Sequence, residues 1–359
     1  MKIAVLVSGG VDSSVALALL KEAGHDVTAY YMKIWLEDEL RFLGDCPWEE
    51  DLKYVRAVSQ QFDVPLEIVP FQKEYWDRVV GYTLAEVQAG RTPNPDMLCN
   101  ARVKFGAFYE YLEAQGKKYD KIATGHYAQT EERDGITWLK MSPDPVKDQT
   151  YFLSQLSQEQ VARALFPIGG YPKGEVRRLA EKFQLPNAKR KDSQGICFLG
   201  KIPFDEFVKF HLGVKPGKLI EEGTGKVLGE HEGFWYYTIG QRKGIRLSGG
   251  PWYVTGKDLE KNEVYIAHGD RYQAEARDTF TVANPNWIAG SAPEKTALLV
   301  KIRHGEKMYP AEVTPLGAGR YRVRLAEKDH GIAAGQFAVF YDGDICLGGG
   351  VIEEEYADR

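Results

Sequence analysis

Several common features are missing from this 359-residue chain, and each absence narrows what it does. No apolar run approaches the roughly 20 residues of a membrane-spanning helix, and the opening Met-Lys-Ile-Ala-Val leads into a strand without a signal-peptide cleavage pattern. A cytoplasmic protein with no membrane partner is expected. Cysteine is scarce: Cys46, Cys99, Cys197 and Cys346 lie far apart and form no C-x-x-C pair, which argues against a structural zinc site or a disulfide framework. Excess positive charge is also missing, since the net charge is −5 and bulk attraction cannot coat nucleic acid. Internal repeats and low-complexity segments are absent. Finally, the glycine-bearing loop near the amino terminus has no lysine after its last glycine, which excludes the phosphate loop of kinases and GTPases.

That loop, Ser8-Gly9-Gly10-Val11-Asp12-Ser13-Ser14, directly follows the apolar stretch Ile3 to Val7. Paired glycines after a strand let backbone N–H groups approach an anion, and a helix after them points its positive end to the same place. The helix is supported by Val11, Val15, Leu19 and Leu20 at helical spacing and by Gly24 as a stop. The loop therefore reads as a pyrophosphate site.

Around it, strand and helix alternate. Ile3 to Val7, Val27 to Met32, Leu66 to Val69 and Lys121 to Thr124 read as buried strands. Helices are expected near Val11 to Ala23, Glu49 to Phe62, Tyr75 to Ala89 and Val103 to Ala114, giving a doubly wound α/β sheet with ligands at the carboxyl ends of its strands. Met32 and Gly125 fall at such ends. A hairpin turning at Asp134-Gly135 follows, then helices near Gln158 to Leu165 and Lys173 to Phe183. Beyond His211 the pattern changes to short alternating segments, which fit two β-rich modules at about 205 to 275 and 276 to the end.

Two cysteines sit in chemically suggestive surroundings. Pro93-Asn94-Pro95-Asp96-Met97-Leu98-Cys99-Asn100 delivers an acid and a thiol just before the predicted helix at Val103, whose amino end would stabilise a thiolate. Asp192-Ser193-Gln194-Gly195-Ile196-Cys197-Phe198 places a second thiol after the basic triplet Lys189-Arg190-Lys191. Packing is the alternative for either cysteine, but the proline framing with Asp96 three residues before Cys99, and the basic residues and glycine before Cys197, favour reactive thiols; two such thiols suit sulfur transfer, one carrying a persulfide and the other closing a disulfide to release it. The stretch Lys173 to Asp192 carries seven basic residues against three acidic ones and could face a polyanion or merely solvent. Tyr236, Tyr237, Arg242 and Lys243 suit an RNA surface or a core equally. Cys346, in an apolar stretch before three glycines, reads as core, and Cys46 has no assignable role.

Seven motifs together resemble the tRNA-specific 2-thiouridylases of the PP-loop ATP pyrophosphatase superfamily. They are Ser8 to Ser14, Pro93 to Asn100, Ala123 to Tyr127, Lys147 to Leu153, Asp192 to Phe198, Tyr237 to Gly244 and Cys346 to Gly350, in family order over essentially the whole chain. The resemblance implies a catalytic domain at 1–204, a small tRNA-contacting domain at 205–275 and a β-barrel at 276–359. It implies ATP and Mg²⁺ as cofactors, with Ser8, Gly9, Gly10, Val11, Asp12, Ser13 and Ser14 at the phosphates and Met32 and Gly125 beside the adenosine. Asn94, Pro95 and Asp96 would meet the wobble uridine of tRNAs for Lys, Glu and Gln, with Asp96 as acid or base. Cys99 would be the nucleophile and Cys197 the persulfide carrier. His126, Lys147, Asp148 and Gln149 would contact tRNA. The implied partners are tRNA and a persulfide donor, a cysteine desulfurase or a sulfur-relay protein, with no DNA.

Two stretches depart from the family pattern. Arg303-His304-Gly305 stands where Arg-Tyr-Arg is usual, and Ala334-Gly335-Gln336 where Pro-Gly-Gln is usual, so Arg303, His304 and Gln336 are the weaker tRNA contacts. Another PP-loop adenylating enzyme is the nearest rival reading, and a nucleotide-regulated RNA-binding protein without chemistry is the rival of a different class.

Overall fold

A computed structural model describes residues 1–34, 48–192, 202–272 and 276–353. Cys46 and Cys197 lie outside the described residues.

The apolar runs of the first module form parallel strands. Lys2–Leu6 (β1), Asp26–Lys33 (β2), Leu66–Pro70 (β3), Lys121–Ala123 (β4) and Ala164–Leu165 (β5) make a sheet in the order β3-β2-β1-β4-β5. Val11–Glu22 (α1) follows β1, and Trp48–Gln61 (α2) precedes β3. Ile3, Ala4, Val5, Val15 and Leu17 are fully buried between the layers, the burial on both faces that a parallel sheet requires. The segment 158–165 divides: the helix ends at Arg163, and Ala164–Leu165 becomes an edge strand beside Ile122 and Ala123. A short apolar run before Pro167 satisfies either period, and sheet pairing decides it.

The hairpin turns at Asp134 and Gly135, both with positive φ (54° and 76°), as a two-residue primed turn demands. Its strands, Ala128–Arg133 (β6) and Ile136–Met141 (β7), do not extend the parallel sheet. Leu139 and Lys140 pair instead with Cys346 and Ile345 in the last module.

In the middle module, Gly217–Glu221 (β8), Val227–His231 (β9), Trp252–Asp258 (β10) and Glu263–His268 (β11) form a sheet ordered β10-β11-β8-β9. The last module is a barrel: Arg277–Trp287 (β12), Ala297–Lys301 (β13), Tyr309–Gly317 (β14), Arg320–Asp329 (β15), Phe337–Asp342 (β16) and Ile345–Ile352 (β17) run β12-β15-β14-β13-β16-β17 and close through β12 with β17. The three glycines of β17 permit that closure, because a Cβ at Gly348 would lie 1.8 Å from the Asn286 carbonyl oxygen and one at Gly349 2.6 Å from that of Ala338. Cys346 is core, as expected; burial pushes its thiol up to about 12. Among the described residues no helix is long and apolar enough to cross a membrane.

The three modules meet on one short strap. Thr92 donates its N–H to the Ala334 carbonyl (2.8 Å), and the Gln336 amide donates to the carbonyls of Thr92 (3.0 Å) and Pro93 (3.4 Å). From the middle module, the Lys257 ammonium donates to the Gly90 carbonyl (2.8 Å), while the Thr238 and Thr92 hydroxyls lie 3.3 Å apart. Deeper in, Lys301 of β13 and Asp148 of the first module form a 3.4 Å ion pair with side chains 1% and 0% exposed. Asp148 also accepts from the Ser142 N–H and the Thr150 hydroxyl, so the carboxylate is well satisfied.

Removing one partner of a buried pair strands a charge in a low-dielectric interior. Lys301→Met is therefore expected to cost about 3 kcal/mol or more, read as a drop in thermal midpoint. Removing the exposed Arg163–Glu159 pair should move the midpoint by less than a degree or two, since such pairs contribute about 0.5 kcal/mol.

Candidate active site

Val7–Gly10 connects β1 to α1, and Gly10 caps that helix without any side-chain hydrogen bond. The first-turn N–H groups, which lack intrahelical acceptors, therefore face the space ahead of the helix. Ser13 and Ser14 donate their hydroxyls to the Gly10 carbonyl (3.1 and 3.0 Å), and the Ser8 N–H donates to the Ser13 hydroxyl oxygen (3.2 Å). Two glycines are fixed by crowding. Gly9 has φ +78° and a Cβ there would sit 2.6 Å from the Asp51 carbonyl oxygen; a Cβ at Gly125 would sit 2.6 Å from the Ser13 nitrogen. Gly125 thus packs directly against the loop, and Met32 lies half-buried near the end of β2.

The cation that the loop sequence lacks arrives from elsewhere. Lys173, which begins the helix Lys173–Lys182 (α7 in chain order, after the helices at 72–88, 95–114, Thr150–Leu153 and Gln158–Arg163), places its ammonium 2.7 and 2.9 Å from the two Asp12 carboxylate oxygens. The same ammonium lies 2.8 Å from Asp192. Asp192 is further held by Lys147 (3.0 Å) and Arg177 (2.5 Å). Burial works to raise this carboxyl, yet the hydrogen bonds from Lys173 and Lys147 outweigh it and hold it down at about 2. Arg190 pairs with Asp51 (2.6 Å) and donates to the Gly9 carbonyl (3.0 Å), as does the Asn187 amide (2.8 Å). Burial raises the Asp51 carboxyl against the pull of Arg190. The basic run at 173–192 therefore divides: Lys173, Arg177 and Arg190 turn to the phosphate loop and its acids, while Arg178 and Lys182 pair with Glu175 and Glu22 on the surface.

The thiol-bearing segment begins a helix earlier than the sequence pattern indicates. Asn94 caps Pro95–Leu98 by accepting from the Met97 N–H (3.4 Å), and the helix continues through wide π-type turns at Cys99–Ala107 into Phe108–Ala114. Pro95 at the first helical position is pre-set for this role, which the proline-rich appearance of the segment conceals. Cys99 consequently lies in the second turn, not ahead of the helix, and is 1% exposed. Beside it the Asn100 amide donates to the Phe152 carbonyl (3.1 Å) and accepts from Lys104 (2.9 Å).

The residues expected at tRNA fall into distinct places. Asn94, Pro95 and Asp96 form the first turn of the Cys99 helix, directly after the Thr92–Pro93 strap. His126 is buried, with Nδ1 2.7 Å from the Thr124 hydroxyl, and burial reinforced by the Lys104 charge holds its imidazole well below the usual value. Gln149 braces Tyr127 by accepting its N–H (2.9 Å), and the Tyr127 hydroxyl donates to Asp12 (2.9 Å). Lys147 joins the Asp192 cluster and Asp148 the buried pair with Lys301. His304 lies against Phe152 (ring centroids 4.6 Å), Arg303 forks onto Asp329 (2.7 and 2.8 Å), and Gln336 holds the strap.

Among the described residues no disulfide joins Cys99 to Cys346, and Cys197, the partner expected for Cys99 during sulfur release, lies outside them. Among the same residues no group of three His, Cys, Asp or Glu is placed to hold a metal. The site nonetheless fits a nucleotide triphosphate: two positions tolerate no side chain, helix N–H groups are bare, and the buried Asn187 Oδ1 lacks a hydrogen-bond partner among the described residues. Mg²⁺ commonly binds through phosphates and one or two carboxylates, and Asp12, which here accepts from Lys173 and Tyr127, is the carboxylate that would hold it.

A parallel sheet whose first strand leads into this loop defines a nucleotide-binding domain of the PP-loop class. The family model described as tRNA methyl transferase HUP domain matches residues 1–201, the tRNA methyl transferase PRC-barrel domain matches 205–268, and the aminomethyltransferase beta-barrel domain matches 277–352. The chain is 48% identical over 361 residues to the tRNA-specific 2-thiouridylase MnmA of Parabacteroides distasonis, covering 99% of both. It is 45% identical over 358 residues to the tRNA-specific 2-thiouridylase MnmA 1 of Bacteroides thetaiotaomicron, covering 98% of this chain and 99% of that one. A solved 4-thiouridine synthetase–RNA complex with bound ATP aligns over 59% of this chain and 50% of its own at 16% identity, with a TM-score of 0.35. The chain belongs to the tRNA-specific 2-thiouridylase family.

Lys173→Met is expected to weaken ATP binding about tenfold or more, the scale of a lost charge-assisted hydrogen bond, while tRNA binding measured in parallel holds. The depressed Asp192 carboxyl contributes stability that is present above its ordinary value of 3.8 and lost as pH falls towards about 2. Asp192→Asn should flatten that acid limb of the thermal midpoint against pH.

Proposed function

We propose that this protein replaces oxygen by sulfur at C2 of the wobble uridine in tRNA, using ATP to activate the oxygen as an adenylate. The observation that carries this reading is the loop Ser8–Ser14 with Lys173 brought to Asp12, in a chain that also delivers Cys99 from a capped helix. A C2 oxygen is a poor leaving group, and adenylation converts it into part of AMP.

In this mechanism the uracil C2 oxygen attacks the α-phosphorus of ATP, and pyrophosphate leaves. The loop amides, the α1 amino terminus and Lys173 hold the departing charge, aided by the cluster that keeps Lys173 in place. Mg²⁺, when bound, supplies further neutralisation of the phosphates beside Asp12. The terminal sulfur of a Cys197 persulfide then forms a bond to C2 as the C2–O bond breaks and AMP departs. The Cys99 thiolate attacks the Cys197 sulfur, which breaks the S–S bond, leaves the sulfur on the base and joins Cys99 to Cys197 as a transient disulfide. A thiol reductant resets the pair. The anticodon loop presents an unpaired base at low unstacking cost.

The persulfide carrier, the donor that loads it and the residues meeting the base rest on the family resemblance, since Cys197 is outside the described residues. A nucleotide-dependent RNA-binding protein would explain the cradle but leaves the two isolated thiols without a task. Nucleosides from unmodified glutamate tRNA incubated with Mg-ATP and a persulfide source should contain 2-thiouridine by mass spectrometry. Cys99→Ser and Cys197→Ser should each abolish the product while pyrophosphate release, the mark of adenylation, persists. Full thiolation by either variant would sink the sulfur-transfer step, and absence of tRNA-dependent pyrophosphate release would sink the adenylation step.

A further inference from the structure

Strand β15 reads Arg320-Tyr321-Arg322-Val323-Arg324-Leu325, and the barrel resolves the alternation cleanly. Val323 and Leu325 are buried, while Arg320, Arg322 and Arg324 are exposed on the outer wall. Successive arginines stand about 6.8 Å apart along the strand, the same order as the step between phosphates in a nucleic-acid chain. Three of their four lateral neighbours are threonines, of which Thr281 is buried, and the fourth is Glu312. On β12, Thr279 lies opposite Arg324 and Thr281 opposite Arg322; on β14, Glu312 and Thr314 occupy the corresponding positions.

The charge pattern separates this row from ordinary surface decoration. Elsewhere in the module most exposed cations are neutralised: Lys295 by Asp342 (2.6 Å), Lys307 by Glu327 (3.1 Å) and Arg303 by Asp329 (2.7 Å), while Arg277 donates to the Ile332 carbonyl (2.7 Å). Arg320 likewise pairs with Glu353 (2.6 Å). Arg322, Arg324 and the exposed Lys328 have no acid partner among the described residues, and Glu312, though opposite Arg324 in register, is not in an ion pair with it. In a chain of net charge −5 an unneutralised cationic strand is conspicuous. The strand also has a direction: its far end is Asp329, the partner of Arg303, and Arg324 lies five residues, or about 17 Å, back along the wall.

We propose that the outer wall of β15, centred on Arg322 and Arg324 with Lys328 and the exposed Thr314, docks the phosphate backbone of the tRNA away from the base that reacts. Arginine and threonine side chains are standard phosphate donors, and such contacts set position without reading sequence. The surface rests on the tRNA-thiolation reading above, and it enlarges the footprint from the catalytic pocket to the barrel wall.

The test is tRNA binding by the full chain across a salt series, comparing the unaltered protein with Arg322→Ala/Arg324→Ala. Both side chains are exposed, and an unchanged thermal midpoint confirms that the variant folds. Two lost phosphate contacts should lower the magnitude of the log–log salt slope by about 2 and weaken binding about tenfold near 0.1 M salt. Thiolation at saturating tRNA should keep its rate while KM rises. An unchanged slope and affinity in the variant would overturn the proposal. Failure of the unaltered protein to bind tRNA at all would instead overturn the functional reading on which it rests.

Discussion

A phosphate cradle works only if bare backbone meets the anion, and much of the first module serves that constraint. Gly9 and Gly125 leave no room for a side chain, the one against Asp51 and the other against Ser13. The Gly9 carbonyl is held by Asn187 and Arg190, which turns the next N–H the opposite way across a planar trans peptide. Lys173 is kept beside Asp12 and Asp192, so a cation waits at the loop with its charge already balanced. On the function proposed above, a triphosphate entering the cradle would exchange one set of anions around Lys173 for another, so that no bare ammonium has to be stored in the free protein.

The second constraint is mechanical. The strap before the Cys99 helix is gripped by the barrel through Ala334 and Gln336 and by the middle module through Thr238 and Lys257. Gly335 sits so close that an added Cβ would meet Arg91 Cβ and the Thr92 nitrogen at 2.9 Å. The Lys301–Asp148 pair and the β7–β17 pairing tie the same two modules at depth. The barrel is thus part of the support of the Cys99 helix.

How much of this was legible in the sequence follows from the distance over which each feature is encoded. The loop, the first four parallel strands and the Asp134-Gly135 turn are local patterns, and they fold where their residues indicate. The early start of the Cys99 helix was hidden because Pro95 signals a turn and a first helical position equally well. Lys173 is 161 residues from Asp12, and no periodicity links them; the only hint was the basic stretch, which suggested a polyanion without saying that a phosphate loop would draw in half of it. The hairpin β6–β7 follows the same rule, since its partner strand begins at Ile345 and only the tertiary fold reveals the pairing. For Gln336 the sequence offered only a family likeness, and the fold adds that its amide spans two carbonyls of the strap.

Thiolation through an adenylate fixes the fate of one oxygen atom. Glutamate tRNA carrying ¹⁸O at C2 of the wobble uridine, incubated with the protein, Mg-ATP and a persulfide source, can be followed by mass spectrometry of the released AMP. Adenylation of the base places that oxygen in the bond that breaks on the carbon side, so AMP should carry the label in proportion to the 2-thiouridine formed. Thiolated tRNA accompanied by unlabelled AMP would contradict the account, because ATP would then have activated some atom other than the oxygen that sulfur replaces.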